Sequence, residues 1–113
     1  MTTQQTSQKD AAQALARAAE LFGVLSTPLR LQIISVLCGG ERNVSVLLEQ
    51  IEASQSNMSR HLNVLYQAGV VAKRRKGQQV FYRIADDSAV MVCKVVCAQV
   101  GGGKKVRNLL TLE

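Results

Sequence analysis

The feature that most restricts the fold is a change of hydrophobic period at Gly69. Before it, Met58, Leu62, Leu65 and Tyr66 recur at helical spacing; after it, Val71, Lys73 and Arg75 alternate with Ala72 and Arg74, and Val80, Tyr82 and Ile84 alternate with Phe81 and Arg83. Glycine takes the left-handed conformation that ends a helix at little cost. The switch therefore predicts a helix over 55–68 followed at once by a β-hairpin turning through Lys76-Gly77-Gln78-Gln79.

The other elements follow from caps and stops. Leu15, Ala18, Ala19, Phe22 and Leu25 mark a first amphipathic helix over 11–25, with a partly exposed face of small residues. Thr27 then Pro28 is an N-cap with proline at the first helical position, and Leu29, Ile33, Val36 and Leu37 continue a second helix to Gly39-Gly40. Val46, Leu47, Gln50 and Ile51 give a short third helix that breaks by Ala53, and Ser54 caps the fourth. Past the hairpin, Asp86, Asp87 and Ser88 start a last helix carrying Val90, Val92, Cys93, Val96, Cys97 and Val100, stopped by Gly101-Gly102-Gly103. The organisation expected is a disordered tail over 1–10, one domain over 11–100, and a weakly patterned tail over 101–113 whose final Leu112-Glu113 is compatible with a cloning remnant.

A chain of 113 residues with two Phe, two Tyr and no Trp has a thin core, so a dimer is the default expectation. At 47% hydrophobic and 19% charged residues it is too apolar for disorder, and no apolar run approaches the ~18 to 20 residues of a membrane span. The polar stretch Met1 to Asp10 has neither a basic nor an apolar signal region. The expectation is a cytoplasmic protein, without a membrane partner, whose three cysteines are free thiols. Enzyme chemistry finds little to use: no nucleophile with a base and orienter, no glycine-rich phosphate loop after a strand, no paired carboxylates. Cys93 and Cys97 are one residue too far apart for a Cys-x-x-Cys redox motif. A non-enzyme without cofactor is expected.

Charge position says more than the net +6. Between Glu52 and Asp86 there is no acid, while Arg60, Lys73, Arg74, Arg75, Lys76 and Arg83 all fall in that arc. A cationic run is often only a solvated face. Here it adjoins Ser54-Gln55-Ser56-Asn57-Met58-Ser59-Arg60-His61, a cluster of short hydrogen-bonding side chains at the start of the fourth helix, joined to the third by a tight turn. In a helix-turn-helix that segment enters the major groove, where Gln and Asn match adenine edges, Arg matches guanine, and Ser matches bases or phosphate. The cationic hairpin would meet flanking phosphates.

The reading is a mainly α fold with a β-hairpin wing, a winged helix-turn-helix whose partner is double-stranded operator DNA. Its candidate contacts are Ser54, Gln55, Ser56, Asn57, Ser59, Arg60 and His61 on the helix, with Lys73, Arg74, Arg75, Lys76 and Gln78 on the wing. His61, the only histidine, reads as a DNA contact or a helix-surface residue rather than a metal ligand.

From Leu21 to about Val96 the chain resembles the ArsR/SmtB family of dimeric repressors. The segments that carry the resemblance are Leu25-Ser26-Thr27-Pro28-Leu29-Arg30-Leu31-Gln32-Ile33-Ile34, Ser54 to Leu62, Ala68-Gly69-Val70-Val71 and Phe81-Tyr82-Arg83-Ile84. The resemblance implies a homodimer through the first and last helices, two recognition helices on an inverted repeat, and a small inducer that releases the DNA.

What the inducer is turns on the side chains available. The family's thiol cluster at the start of the third helix is absent, since that place reads Asn43-Val44-Ser45-Val46-Leu47-Leu48, and Asp86 and Asp87 lack imidazole partners for a zinc or nickel site. Three thiols remain: Cys38, Cys93 and Cys97. Cys93 and Cys97 lie about 40° apart around a helix. Their β-carbons are then roughly 5 to 6 Å apart, a spacing that suits a bridging soft atom or a third thiol better than a direct disulfide. A buried cysteine is also simply a small hydrophobe.

The resemblance implies either reactive-sulfur (persulfide or sulfide) or redox sensing, in which Cys38 is linked to a cysteine of the last helix, or arsenite sensing by all three thiolates. Cys38 stands about one turn after the family's usual second-helix position, which is Ser35 here. A constitutive DNA-binding protein without a sensing site is the third alternative.

Overall fold

Three of the helices begin where a side chain takes over an otherwise unpaired backbone N–H. Thr27 Oγ1 accepts from the Arg30 amide at 3.3 Å, Asn43 Oδ1 from Val46 at 2.9 Å and Ser54 Oγ from Asn57 at 3.1 Å. In the computed structural model, which describes residues 2–101, these caps open α2 (Pro28–Leu37), α3 (Val44–Gln50) and α4 (Gln55–Gln67). The remaining elements are α1 (Thr2–Val24), β1 (Arg42–Asn43), β2 (Val71–Lys76), β3 (Gln79–Ile84) and α5 (Asp87–Gly101).

The period switch falls where the sequence places it. Gly69 has φ +81°, and the amides of Gly69 and Val70 reach back to the carbonyls of Tyr66 and Leu65, both at 3.0 Å, closing the end of α4. The hairpin turn is Gly77-Gln78, with Lys76 opposite Gln79 and Gly77 at φ +64° as the first loop residue.

The sheet is antiparallel in the order β1-β3-β2, with Arg42 opposite Tyr82 and Asn43 opposite Phe81. β1 was not expected: a two-residue strand shows no alternation, and only its partner β3 defines it.

Ile33, Ile34 and Leu37 of α2, Leu47 of α3, and Met58, Leu62 and Leu65 of α4 form the centre of the core, with Val70, Val71 and Tyr82 from the sheet and Ala89 and Cys93 from α5. Each fully buried Leu or Ile contributes about 1.5 to 3 kcal/mol of transfer free energy. The core thus holds α4 against α2 and α3 and leaves its other face to solvent.

Two boundaries differ from expectation. α1 begins at Thr2, so residues 2–10 are helical rather than a disordered tail. No Gly or Pro interrupts 2–22, and extending an existing helix costs far less than nucleating one, so the helix continues past its apolar stripe. α5 reaches Gly101; the tail expected beyond it lies outside the described residues. Among the described residues no single helix is long and apolar enough to cross a membrane.

Candidate nucleic-acid interface

α4 divides cleanly into two faces. Met58, His61, Leu62 and Leu65 point inward, while Gln55, Ser56, Asn57, Ser59 and Arg60 are exposed on its first two turns. Ser54, exposed, uses its hydroxyl as the helix cap. Asn57 Oδ1 accepts from Arg60 Nη2 at 2.7 Å, which lays the guanidinium along the outer face.

His61 departs from the expected set. It is only 8% exposed, and its Nδ1 lies 3.4 Å from Arg30 Nη1, while Arg30 Nε donates to the Val24 carbonyl at 2.7 Å. Burial, with the cations of Arg60 and Arg30, pushes the imidazole pKa down, so at neutral pH the ring is uncharged. A neutral ring protonated on Nε2 leaves Nδ1 to accept from Arg30. His61 therefore ties α4 to the junction of α1 and α2 from the inner face of the helix. The sequence signal was available: His61 lies three residues after Met58 and four before Leu65, on the inner stripe.

Lys73, Arg74, Arg75, Lys76 and Gln78 are all exposed on the hairpin that follows α4. Lys73 Nζ sits 4.4 Å from the centre of the Tyr66 ring, joining wing to recognition helix. Arg74 lies 5.1 Å from the Phe81 ring centre and is held from its other side. Its Nε and Nη2 donate to the two carboxylate oxygens of Glu41, both at 2.8 Å. The guanidinium holds the Glu41 carboxyl below its ordinary pKa, and the carboxylate raises that of Arg74. Glu41 went unnoticed in the sequence because it lies outside the acid-free arc and meets the wing only through the fold.

The thiols fall on two cavities. Cys93 and Cys97 line one of about 290 Å³ with Ser35 and Val36 of α2 and Ile51. Cys38 lines another of about 300 Å³ with Glu41, Arg83, Asp87 and Lys94. Cys93 is 4% exposed; burial, reinforced by Cys97 and Cys38, pushes its pKa up to about 11. Burial also raises the Cys38 pKa, against the pull of Lys94. The structure thus brings Cys93 together with Cys97 but gives Cys38 a different wall from Cys97. Among the described residues no three His, Cys, Asp or Glu side chains are grouped to hold a metal. Ser35, about one turn before Cys38 on α2, lines the cavity of Cys93 and Cys97.

A helix with an outward polar face, packed on two others and flanked by a cationic hairpin, defines a winged helix-turn-helix DNA-binding protein. Residues 27–73 match the family described as bacterial regulatory protein, arsR family, and the chain belongs to that family of transcriptional regulators. It is 36% identical over 85 residues to the biofilm growth-associated repressor of Xylella fastidiosa, covering 72% of this chain and 75% of that one. Reduced HlyU from Vibrio cholerae superposes with a TM-score of 0.72 at 28% identity, over 81% of this chain and 96% of that one. A homodimeric winged helix-turn-helix DNA-binding domain from Mycobacterium bovis superposes with a TM-score of 0.67 at 31% identity, covering 80% of this chain and 82% of that one.

Proposed function

We propose that this protein is a dimeric transcriptional repressor that reads operator DNA with α4, grips flanking phosphates with its wing, and lets go when a reactive sulfur species modifies the thiols of α5. The observation that carries the DNA reading is the shared exposure of Gln55, Ser56, Ser59 and Arg60 beside Lys73, Arg75 and Lys76. The core leaves the groove-reading groups of α4 and the phosphate-binding groups of the wing to solvent.

Dimerisation is supported by apolar surface on the two terminal helices. Leu15 and Phe22 of α1, and Met91, Val95, Val96 and Val100 of α5, are each more than half exposed. Large apolar side chains so placed mark an interface, and the related M. bovis domain is a homodimer. Two copies joined through α1 and α5 present two recognition helices to an inverted repeat.

The sensing reading rests on Cys93 and Cys97 sharing one largely apolar cavity. Cys97, the more exposed of the two, is the first to react; Cys93, with its raised pKa, is the slower nucleophile. Each thiol takes one sulfur atom from a persulfide donor, which leaves as its own thiol. One Cys persulfide then attacks the other and expels hydrogen sulfide, leaving a three-sulfur bridge along α5. That helix also carries the exposed apolar face, so the bridge acts on the dimer geometry that spaces the recognition helices.

The test is binding to a duplex selected from a random pool by the reduced protein. Treatment with a persulfide donor should release the DNA as intact mass shows the inserted sulfur and the loss of two hydrogens. Unchanged binding after full modification refutes the sensing reading; no sequence preference in the selection refutes the DNA reading.

A further inference from the structure

Arg74 stands in the middle of the cationic wing, yet it is not available to a phosphate as the fold presents it. Glu41, in the turn between α2 and β1, meets it with both carboxylate oxygens at 2.8 Å, the two-pronged geometry that a guanidinium also forms with a phosphate. The pair is open to solvent, with the Arg74 side chain 52% and the Glu41 side chain 27% exposed, so an arriving polyanion can reach and displace it.

We infer that Glu41 is a specificity-determining residue that stands in for DNA phosphate on Arg74 and must be displaced before this arginine can grip a duplex. This rests on the DNA reading above and adds to it a residue with no contact of its own to the groove. On a cognate duplex, base recognition by α4 fixes the register of the wing and holds a phosphate against Arg74 long enough to displace the carboxylate. On an unrelated duplex the register is not fixed, and Arg74 stays with Glu41. The carboxylate thus weakens binding to the wrong DNA more than to the right one.

The pair also alters the salt dependence in a definite direction. An arginine that moves from solvent to phosphate releases about one counterion from the DNA, adding roughly 0.9 to the magnitude of the slope of log K against log salt. While Arg74 stays with Glu41 it makes no phosphate contact and releases no counterion, so that increment is missing from the wild-type slope on a random duplex. Removing the negative charge at position 41 should restore it.

The experiment compares wild type, Glu41→Gln, Arg74→Ala and the double variant, measured by fluorescence anisotropy from 50 to 300 mM KCl. Each is titrated with a 30-base-pair duplex of random sequence and with a duplex selected by the wild-type protein. Glu41→Gln should bind the random duplex about 2- to 5-fold more tightly, the range expected for releasing one exposed pair. Its salt slope should steepen by up to about one, and its gain on the selected duplex should be smaller. The double variant should match Arg74→Ala, since Glu41 acts only through Arg74. A merely structural role for Glu41 would not steepen the slope.

The inference is overturned if Glu41→Gln binds random DNA no better than wild type, if Arg74→Ala binds both duplexes as wild type does, or if the double variant binds more tightly than Arg74→Ala. If the wild-type protein binds neither duplex, the DNA reading falls as well, whereas binding with an indifferent Glu41→Gln removes the Glu41 inference alone.

Discussion

The guanidinium of Arg17, midway along α1, donates to the Ala68 carbonyl at 3.1 Å, so a helix assigned to dimerisation also holds the end of the recognition helix. Arg17 additionally pairs with Glu20 one turn on, at 3.2 Å, which orients the side chain across the gap. Arg17→Ala should lower stability by about 0.5 to 1 kcal/mol, a typical value for one exposed hydrogen bond, and loosen the last turn of α4. Thermal unfolding measures the first effect, and faster amide exchange at Gly69 and Val70 the second.

Wing and recognition helix should separate in their responses. Arg75→Ala, at a cation without the Glu41 restraint, should weaken binding to selected and random duplexes alike and reduce the magnitude of the salt slope by about 0.9. Gln55→Ala should leave the slope unchanged and lower the ratio of selected to random affinity by roughly 5-fold or more. Titrations at several salt concentrations on both duplexes decide it.

His61 gives a pH dependence whose sign is fixed by its surroundings. Its pKa in the folded state lies below its ordinary value of 6.5, so between the two values the unfolded chain binds the proton more readily than the folded one. The stabilising contribution is complete above the unfolded pKa and is lost as pH falls through 6.5 toward the lower folded value. The melting temperature should therefore drop on going from pH 7.5 to 5.5, and His61→Asn, which keeps an acceptor near the Nδ1 position without the titration, should flatten the profile. The carboxylates of Glu41 and Asp86, also held below their ordinary pKa values, lose their contributions only at more acid pH, outside this window.

The apolar faces of α1 and α5 predict an assembly. Sedimentation should find a dimer, and Phe22→Glu or Val95→Glu should yield monomers with near-native secondary structure, since both side chains are exposed in the single chain. Affinity for an inverted-repeat duplex should collapse toward that of one half-site.

For the thiols, Cys93→Ser and Cys97→Ser should each retain DNA binding yet abolish release by a persulfide donor, while Cys38→Ser should still be released. Intact mass should show inserted sulfur with the loss of two hydrogens in wild type and in Cys38→Ser only. Loss of release in Cys38→Ser alone would instead place the link between α2 and α5.

Much of this architecture was legible in the chain because local chemistry and tertiary structure agree. Thr27-Pro28, Ser54, Gly69 and Gly77 each solve a backbone problem where they stand, so caps and turns could be read residue by residue. What escaped depends on partners distant in sequence. β1 exists only as two residues paired with β3, and the Glu41–Arg74 pair spans 33 residues that the fold brings together. The polar neighbours of His61 suggest a DNA contact or a surface position, although its spacing from Met58 and Leu65 puts it on the inner stripe. That Cys38 and Cys97 line different cavities depends on where α2 meets α5, which helical periodicity does not report.

The chain has no tryptophan and two tyrosines, and both lie where the recognition helix meets the wing. Tyr66 stacks under Lys73, while Tyr82 is buried on the neighbouring strand, where burial and the nearby Tyr66 raise its phenol pKa. Excited near 275 nm, the protein carries an optical probe at the junction its DNA-reading parts share. A duplex that draws Lys73 away from Tyr66 changes the environment of one of the two emitters, so the total tyrosine emission of unlabelled protein reports on this junction.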